Sequence, residues 1–204
     1  MITIIDYRTG NLGSIQNMLK KIRVESVITS NPEEIAGASK IILPGVGSFD
    51  QGMINLINLQ IKDIIDKKVT VDKIPVLGIC LGMQLMTLRS EEGTLQGLGW
   101  IDAETIRFSF DNPVQFKSPH MGWNFIKKHK ESNLLRNINP ESRFYFVHSY
   151  YVRLNSPSDI LTSTVYEREF TSSFEKGNII GVQFHPEKSH KFGMALLKNF
   201  AEQY

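Results

Sequence analysis

Along the first 90 residues one pattern recurs: a short run of branched apolar residues, a turn containing glycine or a capping residue, then apolar positions spaced three and four apart. Ile2-Thr3-Ile4-Ile5 reads as a strand, and Tyr7-Arg8-Thr9-Gly10-Asn11 as the turn that leaves it. Leu12, Ile15, Met18, Leu19 and Ile22 then fall on one face of a helix. Residues 24–29 predict a second strand. Ser30-Asn31-Pro32-Glu33-Glu34 predicts a helix start, with a capping side chain, a proline in the first turn and acids where the helix dipole favours them. Ile41-Ile42-Leu43 is a third strand, ended by Pro44-Gly45-Val46-Gly47, and helical segments are expected from 49 to about 67. Pro75-Val76-Leu77-Gly78-Ile79 has the unbroken apolar character of a strand covered on both faces. Strands alternating with helices in this way predict a parallel α/β sheet flanked by helices.

Beyond about Leu95 the pattern becomes strands and turns, with strands expected over 101–108, 122–127, 144–147, 160–164 and 179–184. These would add antiparallel strands to the same core. Phe192, Ala195, Leu196, Asn199 and Phe200 mark a closing helix. No repeat, low-complexity tract or linker interrupts the chain, so residues 1–204 are expected to form one domain.

Composition narrows the partners. The 204 residues are 41% hydrophobic and 22% charged, and 23 basic against 21 acidic residues give a net charge of only +2. With no long block of one sign, nucleic acid and membrane surfaces are poor partners. Met1-Ile2-Thr3-Ile4-Ile5-Asp6 lacks the basic start and long apolar stretch of a signal peptide, and no apolar run approaches the roughly 20 residues of a membrane span, so a cytoplasmic protein is expected. Cys80 is the single cysteine, which excludes an internal disulfide and a thiolate-rich metal site.

That cysteine sits in Gly78-Ile79-Cys80-Leu81-Gly82, between the apolar strand and a helical run that includes Leu85, Met86 and Leu88. Glycines two residues to either side of a nucleophile on a strand-to-helix turn form the elbow pattern, because side chains there would collide with the neighbouring chain. The turn would expose the sulfur at the positive end of a helix, where a thiolate is favoured. The Leu81 N–H becomes a candidate donor to an oxyanion. Pro44-Gly45-Val46-Gly47 offers a second from an amide near Val46.

A thiolate acyl-transfer site needs a base, and the base needs an orienting partner. Five histidines are available. In Val182-Gln183-Phe184-His185-Pro186-Glu187 an apolar strand runs into His-Pro-Glu. Proline biases His185 toward extended backbone, and period-two geometry would then put His185 and Glu187 on one side. His148 is the rival base, although Ser149 and Tyr150 beside it look more like substrate contacts. His120, His129 and His190 fit surface or interface positions. The reading is an enzyme with Cys80 as nucleophile, His185 as base and Glu187 as its orienter.

With these residues in place the chain resembles the class I glutamine amidotransferases, and among them the glutaminase subunits that serve imidazole glycerol phosphate synthase. The resemblance rests on Ile5-Asp6-Tyr7 with Gly10-Asn11-Leu12, Leu43 to Gly47, Leu77 to Leu85, Ser90-Glu91-Glu92, Pro119 to Asn124, Tyr145 to Tyr150 and Gly181 to Ser189. It implies a flavodoxin-like fold and hydrolysis of glutamine to glutamate and ammonia through a thioester. It implies that Gln84 and Glu92 hold the α-amino acid end of glutamine, helped by main chain at His148, Ser149 and Tyr150, and that Gly45, Val46 and Gly47 flank the oxyanion. It further implies a (β/α)8-barrel synthase partner in a heterodimer, with Asn11, His120, Trp123 and Asn124 toward it, and neither cofactor nor metal. Histidine biosynthesis is the pathway implied. The alternative is a similar subunit feeding a sugar amidotransferase of surface polysaccharide synthesis. The chain departs from the family pattern at Arg8 and Thr9, at Thr87-Leu88 and at Ser118, none of them in the triad. A peptide-cleaving cysteine hydrolase and a silent bracing subunit are the competing classes; Gln84 with Glu92 argues against the first and the intact triad against the second.

Overall fold

The computed structural model describes residues 1–112 and 114–204. Strands β1 (Ile2–Ile5), β2 (Ser26–Thr29), β3 (Ile41–Leu43) and β4 (Val76–Ile79) alternate with helices α1 (Leu12–Lys21), α2 (Pro32–Ala36), α3 (Phe49–Asn58), α4 (Lys62–Asp66) and α5 (Leu81–Leu85). There follow β5 (Arg89–Ser90), β6 (Ala103–Arg107), β7 (His120–Phe125), β8 (Lys127–Lys128), β9 (Arg143–His148), β10 (Tyr150–Leu154), β11 (Ile160–Tyr166), β12 (Arg168–Lys176) and β13 (Ile179–Val182), and α6 (His190–Gln203) closes the chain.

The main sheet runs β2-β1-β3-β4-β13-β12-β10-β6-β5, with β11 and β8 continuing from β12. From β2 to β13 all pairs are parallel, and beyond β13 the sheet turns antiparallel through β12, β10 and β6. The expected parallel sheet with added antiparallel strands is therefore present. β1, β3, β4 and β13 are buried along their whole length, as their continuous apolar sequences require. One face packs on α1 and α6 through Ile15, Leu19, Leu196, Leu197 and Phe200; the other packs on α2 to α5 through Ile35, Phe49, Met53, Leu56, Ile65, Leu81 and Leu85. β7 and β9 pair antiparallel in a separate ribbon, His120 opposite His148 and Trp123 opposite Tyr145.

Several boundaries differ from the sequence reading, each for a local reason. The second strand begins at Ser26 because Arg23 and Val24 belong to the end of α1: their N–H groups donate to Lys20 O and Leu19 O, with Arg23 at φ 61°. The helical stretch after Phe49 breaks at Gln60, φ 57°, and ends in a π-helical turn over Lys67–Val71. α5 stops at Leu85 rather than reaching Leu88. The buried Thr87 hydroxyl donates to Gln84 O at 2.8 Å and approaches Thr105 Oγ1 at 3.2 Å, pulling the chain across to β6. β10 and β12 were not expected. Among the described residues no helix is long and apolar enough to cross a membrane.

Candidate functional site

Cys80 lies at the carboxyl end of β4, one residue before α5, with φ 54° and ψ −108°. This is a strained conformation for a residue with a side chain. The flanking glycines are sterically necessary. A Cβ on Gly78 would sit 2.8 Å from Gly82 O and Met83 N, and one on Gly82 would land on the Leu43 carbonyl. The elbow is thus built as the sequence indicates. Cys80 keeps 7% of its surface and opens into a cavity of about 260 Å³. α5 has only five residues, so its dipole is a weaker influence on the sulfur than a full helix would be.

β13 carries the base. It pairs parallel with β4, Val182 beside Ile79, so the two strand ends deliver Cys80 and His185 to the same place. His185 is extended, as Pro186 dictates, and its N–H donates to Tyr145 O at 2.9 Å. Pro186–Lys188 then forms a 3-10 turn. Glu187 therefore reaches the ring from a turn, not by the strand alternation expected from sequence. Its Oε1 lies 2.7 Å from His185 Nδ1, both side chains almost completely buried. His185 Nε2 is buried and has no hydrogen-bond partner among the described residues, which leaves it free on the side of the sulfur. Burial alone would push this imidazole down, but its coupling to Cys80, then to Glu187, holds it up at about 10. That value keeps the ring a cation at neutral pH, a state that the adjoining Glu187 carboxylate stabilises.

His148, the rival base, is buried beside the same cavity. Its Nδ1 is 2.7 Å from Tyr150 O and its Nε2 3.0 Å from His120 Nδ1, so both ring nitrogens are occupied. Burial, chiefly, pushes it down to about 3 despite the carbonyl bond. That leaves His185 as the imidazole coupled to the sulfur.

The cavity is lined by Val46, Gly47, Cys80, Leu81, Gln84, Glu92, Pro119, Val147, His148, Ser149 and Tyr150, so the oxyanion and substrate residues expected from sequence converge there. Gly45 packs beneath: a Cβ on it would meet the Tyr7 hydroxyl, and Leu81 Cβ at 3.0 Å. Gln84 commits its Nε2 to Tyr150 O and to Gln183 Oε1, both at 3.1 Å. Glu92 is held by the Phe49 N–H, 2.8 Å from its Oε2, in the place of a helix cap for α3, where Ser48 makes no side-chain bond. The cavity thus presents a carboxylate and an amide oxygen, acceptors suited to an ammonium group.

The oxyanion pair departs from expectation in one respect. The Leu81 N–H donates to Gly45 O at 3.3 Å, so it is occupied in this conformation. It is free to serve an oxyanion only once that bond opens.

The expected partner-facing residues separate. Strand alternation in β7 exposes Met121, Trp123 and Phe125 and turns His120 and Asn124 the other way. His120, read from sequence as a surface or interface histidine, is instead buried at 3% exposure, stacked on Tyr166. Asn124 bonds inward to Val165 O at 3.0 Å. Asn11 is exposed and caps α1, accepting from the Ser14 N–H. Trp123 stacks on His190 and contacts Tyr145, over which Lys188 Nζ lies, so an apolar, aromatic face borders the site.

Sequence reading did not single out Gln183. This fully buried amide lies two residues before His185, and its Nε2 donates to Cys80 Sγ at 3.7 Å. A polar residue inside an apolar strand end was the available signal. Ser189 was also missed: its hydroxyl donates to His185 O at 2.6 Å and accepts from the Tyr145 N–H, fixing the turn that carries the base.

A family profile, glutamine amidotransferase class-I, matches residues 3–204. The chain is 58% identical over 203 residues to a protein of Methanococcus maripaludis named imidazole glycerol phosphate synthase subunit HisH 2, covering 100% of both chains. It is 48% identical over 202 residues to the protein of the same name in Pseudomonas aeruginosa, covering 99% of each. A crystal structure described as a glutamine amidotransferase superposes with a TM-score of 0.76 at 17% identity, over 98% of this chain and 97% of the other, which speaks to the fold.

Proposed function

That this chain belongs to the class-I glutamine amidotransferase family is the premise from which we propose its function: a glutaminase subunit that releases ammonia from glutamine for a synthase partner. The observation carrying this reading is an imidazole held at about 10 between a buried carboxylate and the sulfur of a cysteine on a strained elbow.

Cys80 attacks the side-chain amide carbon of glutamine as a thiolate, its proton resting on His185. The sulfur–carbon bond forms as the carbonyl oxygen takes the negative charge, which the N–H groups of Leu81 and Val46 receive once the Gly45 carbonyl has rotated away. His185 then gives its proton to the departing nitrogen, ammonia leaves, and the thioester remains. Water, deprotonated by His185, attacks the thioester, and glutamate leaves as the sulfur is released. Glu187 holds the ring in the orientation both proton transfers require. Glu92 and Gln84 bind the α-ammonium group.

The relatives' names place them as subunits of imidazole glycerol phosphate synthase, and we assign this chain the same role, beside a (β/α)8-barrel subunit in histidine biosynthesis. The exposed Met121, Trp123 and Phe125 beside the site suit a docking face, since burial of such a patch would seal the cavity mouth against loss of ammonia. The test is ammonia release from glutamine by the chain with and without the barrel subunit. Cys80→Ala should abolish it while leaving the heterodimer intact; retained activity would overturn the assignment.

A further inference from the structure

We propose that His120 and His148 are positioning residues: a one-way chain of hydrogen bonds through them aligns the Gln84 amide, and so sets the site's demand for an α-ammonium group on its substrate. This rests on the reading of the cavity as the glutamine site.

The direction of the chain follows from its fixed ends. Tyr150 O can only accept, so His148 Nδ1, 2.7 Å away, carries the proton. Neutral His148 then offers a lone pair at Nε2, and His120 Nδ1, 3.0 Å away, must donate to it. That leaves His120 Nε2 as an acceptor, and it faces Asn124 Nδ2 at 3.3 Å. The Asn124 amide is set the right way round, because its Oδ1 accepts from the Phe125 N–H at 2.8 Å and its Nδ2 also donates to Val165 O. Every member is thus satisfied in one tautomeric arrangement and in no other neutral one.

Burial keeps both rings in that form. His120 is pushed down to about 4 and His148 to about 3, in both cases chiefly by burial among Phe108, Phe146, Tyr166 and Phe170. Neither ring gains a second proton at neutral pH, so the chain keeps its direction.

Its working end is the Tyr150 carbonyl. His148 pins this group at the junction of β9 and β10, where it also accepts from Gln84 Nε2 at 3.1 Å. The second Gln84 N–H goes to Gln183 Oε1, so Gln84 Oε1 remains as the acceptor for a ligand. The same orientation turns Gln183 Nε2 toward Cys80 Sγ. Reversing the Gln84 amide would set its oxygen against the Tyr150 carbonyl and present donors to the substrate's ammonium group. Without His148 that carbonyl is free to swing and the amide loses its anchor.

The experiment compares the parent heterodimer with His148→Leu, His148→Asn and His120→Phe. Two substrates are used: glutamine and its des-amino analogue, which keeps the amide but lacks the α-ammonium group. The readout is the ratio of kcat/KM for glutamine to that for the analogue. Loss of one hydrogen bond to a charged group corresponds to about a tenfold change, so His148→Leu should lower the ratio about tenfold, mainly through KM for glutamine. His148→Asn, whose side-chain N–H can stand in for Nδ1, should restore most of it, and His120→Phe, which keeps the aromatic packing, should lower it by a smaller factor. A merely structural role would reduce both substrates alike and leave the ratio at the parent value, which would overturn the proposal, as would failure of His148→Asn to rescue. A parent heterodimer that releases no ammonia from glutamine would instead overturn the underlying glutaminase reading.

Discussion

Cys80 occupies φ 54° and ψ −108°, and that strain is measurable if the nucleophile is replaced in two ways. Cys80→Ala keeps a Cβ in the unfavourable region; Cys80→Gly removes it. Both delete the sulfur, so the comparison isolates the backbone. A side chain held in such a region costs about 1–3 kcal/mol, and glycine relieves most of this. Against that, glycine leaves a freer unfolded chain, a loss of about 0.5–1 kcal/mol relative to alanine. Losing one methyl-sized group removes at most about 0.8 kcal/mol of burial, and less here because Cys80 faces the cavity. The balance favours Cys80→Gly over Cys80→Ala by about 1 kcal/mol, or about 2–4 °C in Tm for a chain of this size. Urea unfolding of the two variants, with equal m-values, reads the difference directly. A glycine variant no more stable than the alanine variant would refute the claim that the elbow holds its nucleophile under strain.

Three further outcomes are expected. Glu187→Gln keeps an acceptor for His185 Nδ1 but removes the anion that favours the imidazolium, so the alkaline limb of kcat/KM, set by a group at about 10, should fall by about 1–3 pH units; an unmoved limb would dissociate Glu187 from the base. Gly45→Ala drives a methyl into the Tyr7 hydroxyl and Leu81 Cβ, and should destabilise the fold by about 1–3 kcal/mol in denaturant titrations while suppressing glutaminase activity; wild-type values in both would show that the peptide has room to spare. Trp123→Ala should weaken barrel-subunit binding by about 2 kcal/mol in calorimetry while changing the free chain's stability by about 0.5 kcal/mol or less; undiminished affinity would move the interface elsewhere.

The parallel strands, the elbow and the pairing of His185 with Glu187 were legible because each writes its constraint into neighbouring residues: uniform apolar runs, paired glycines, a proline after the histidine; the 3-10 turn that carries Glu187 to the ring was not. β12, the longest strand, was not. Its buried stretch includes Thr171, Ser172 and Ser173, and the two serines are satisfied by Thr162 Oγ1 on β11 at 2.8 and 2.6 Å, so a buried strand reads as a polar one. Thr87 ended α5 through a hydroxyl bond that spacing alone does not reveal. His120 and Trp123 share a motif yet face opposite sides of β7, a distinction visible only once the strand's register is known. The orientation of the Gly45–Val46 peptide is not legible at all, since turning a peptide over changes no residue.

The position of β13 has a consequence for biosynthesis. This last strand enters between β4 and β12, already distant in sequence, and only its arrival supplies His185 and Glu187 to a cysteine synthesised about a hundred residues earlier. On the proposed mechanism, a nascent or broken chain that stops before that insertion carries a thiol without a proton carrier and should release no ammonia. Competence for the proposed chemistry therefore arrives with β13, not with the elbow that presents the sulfur.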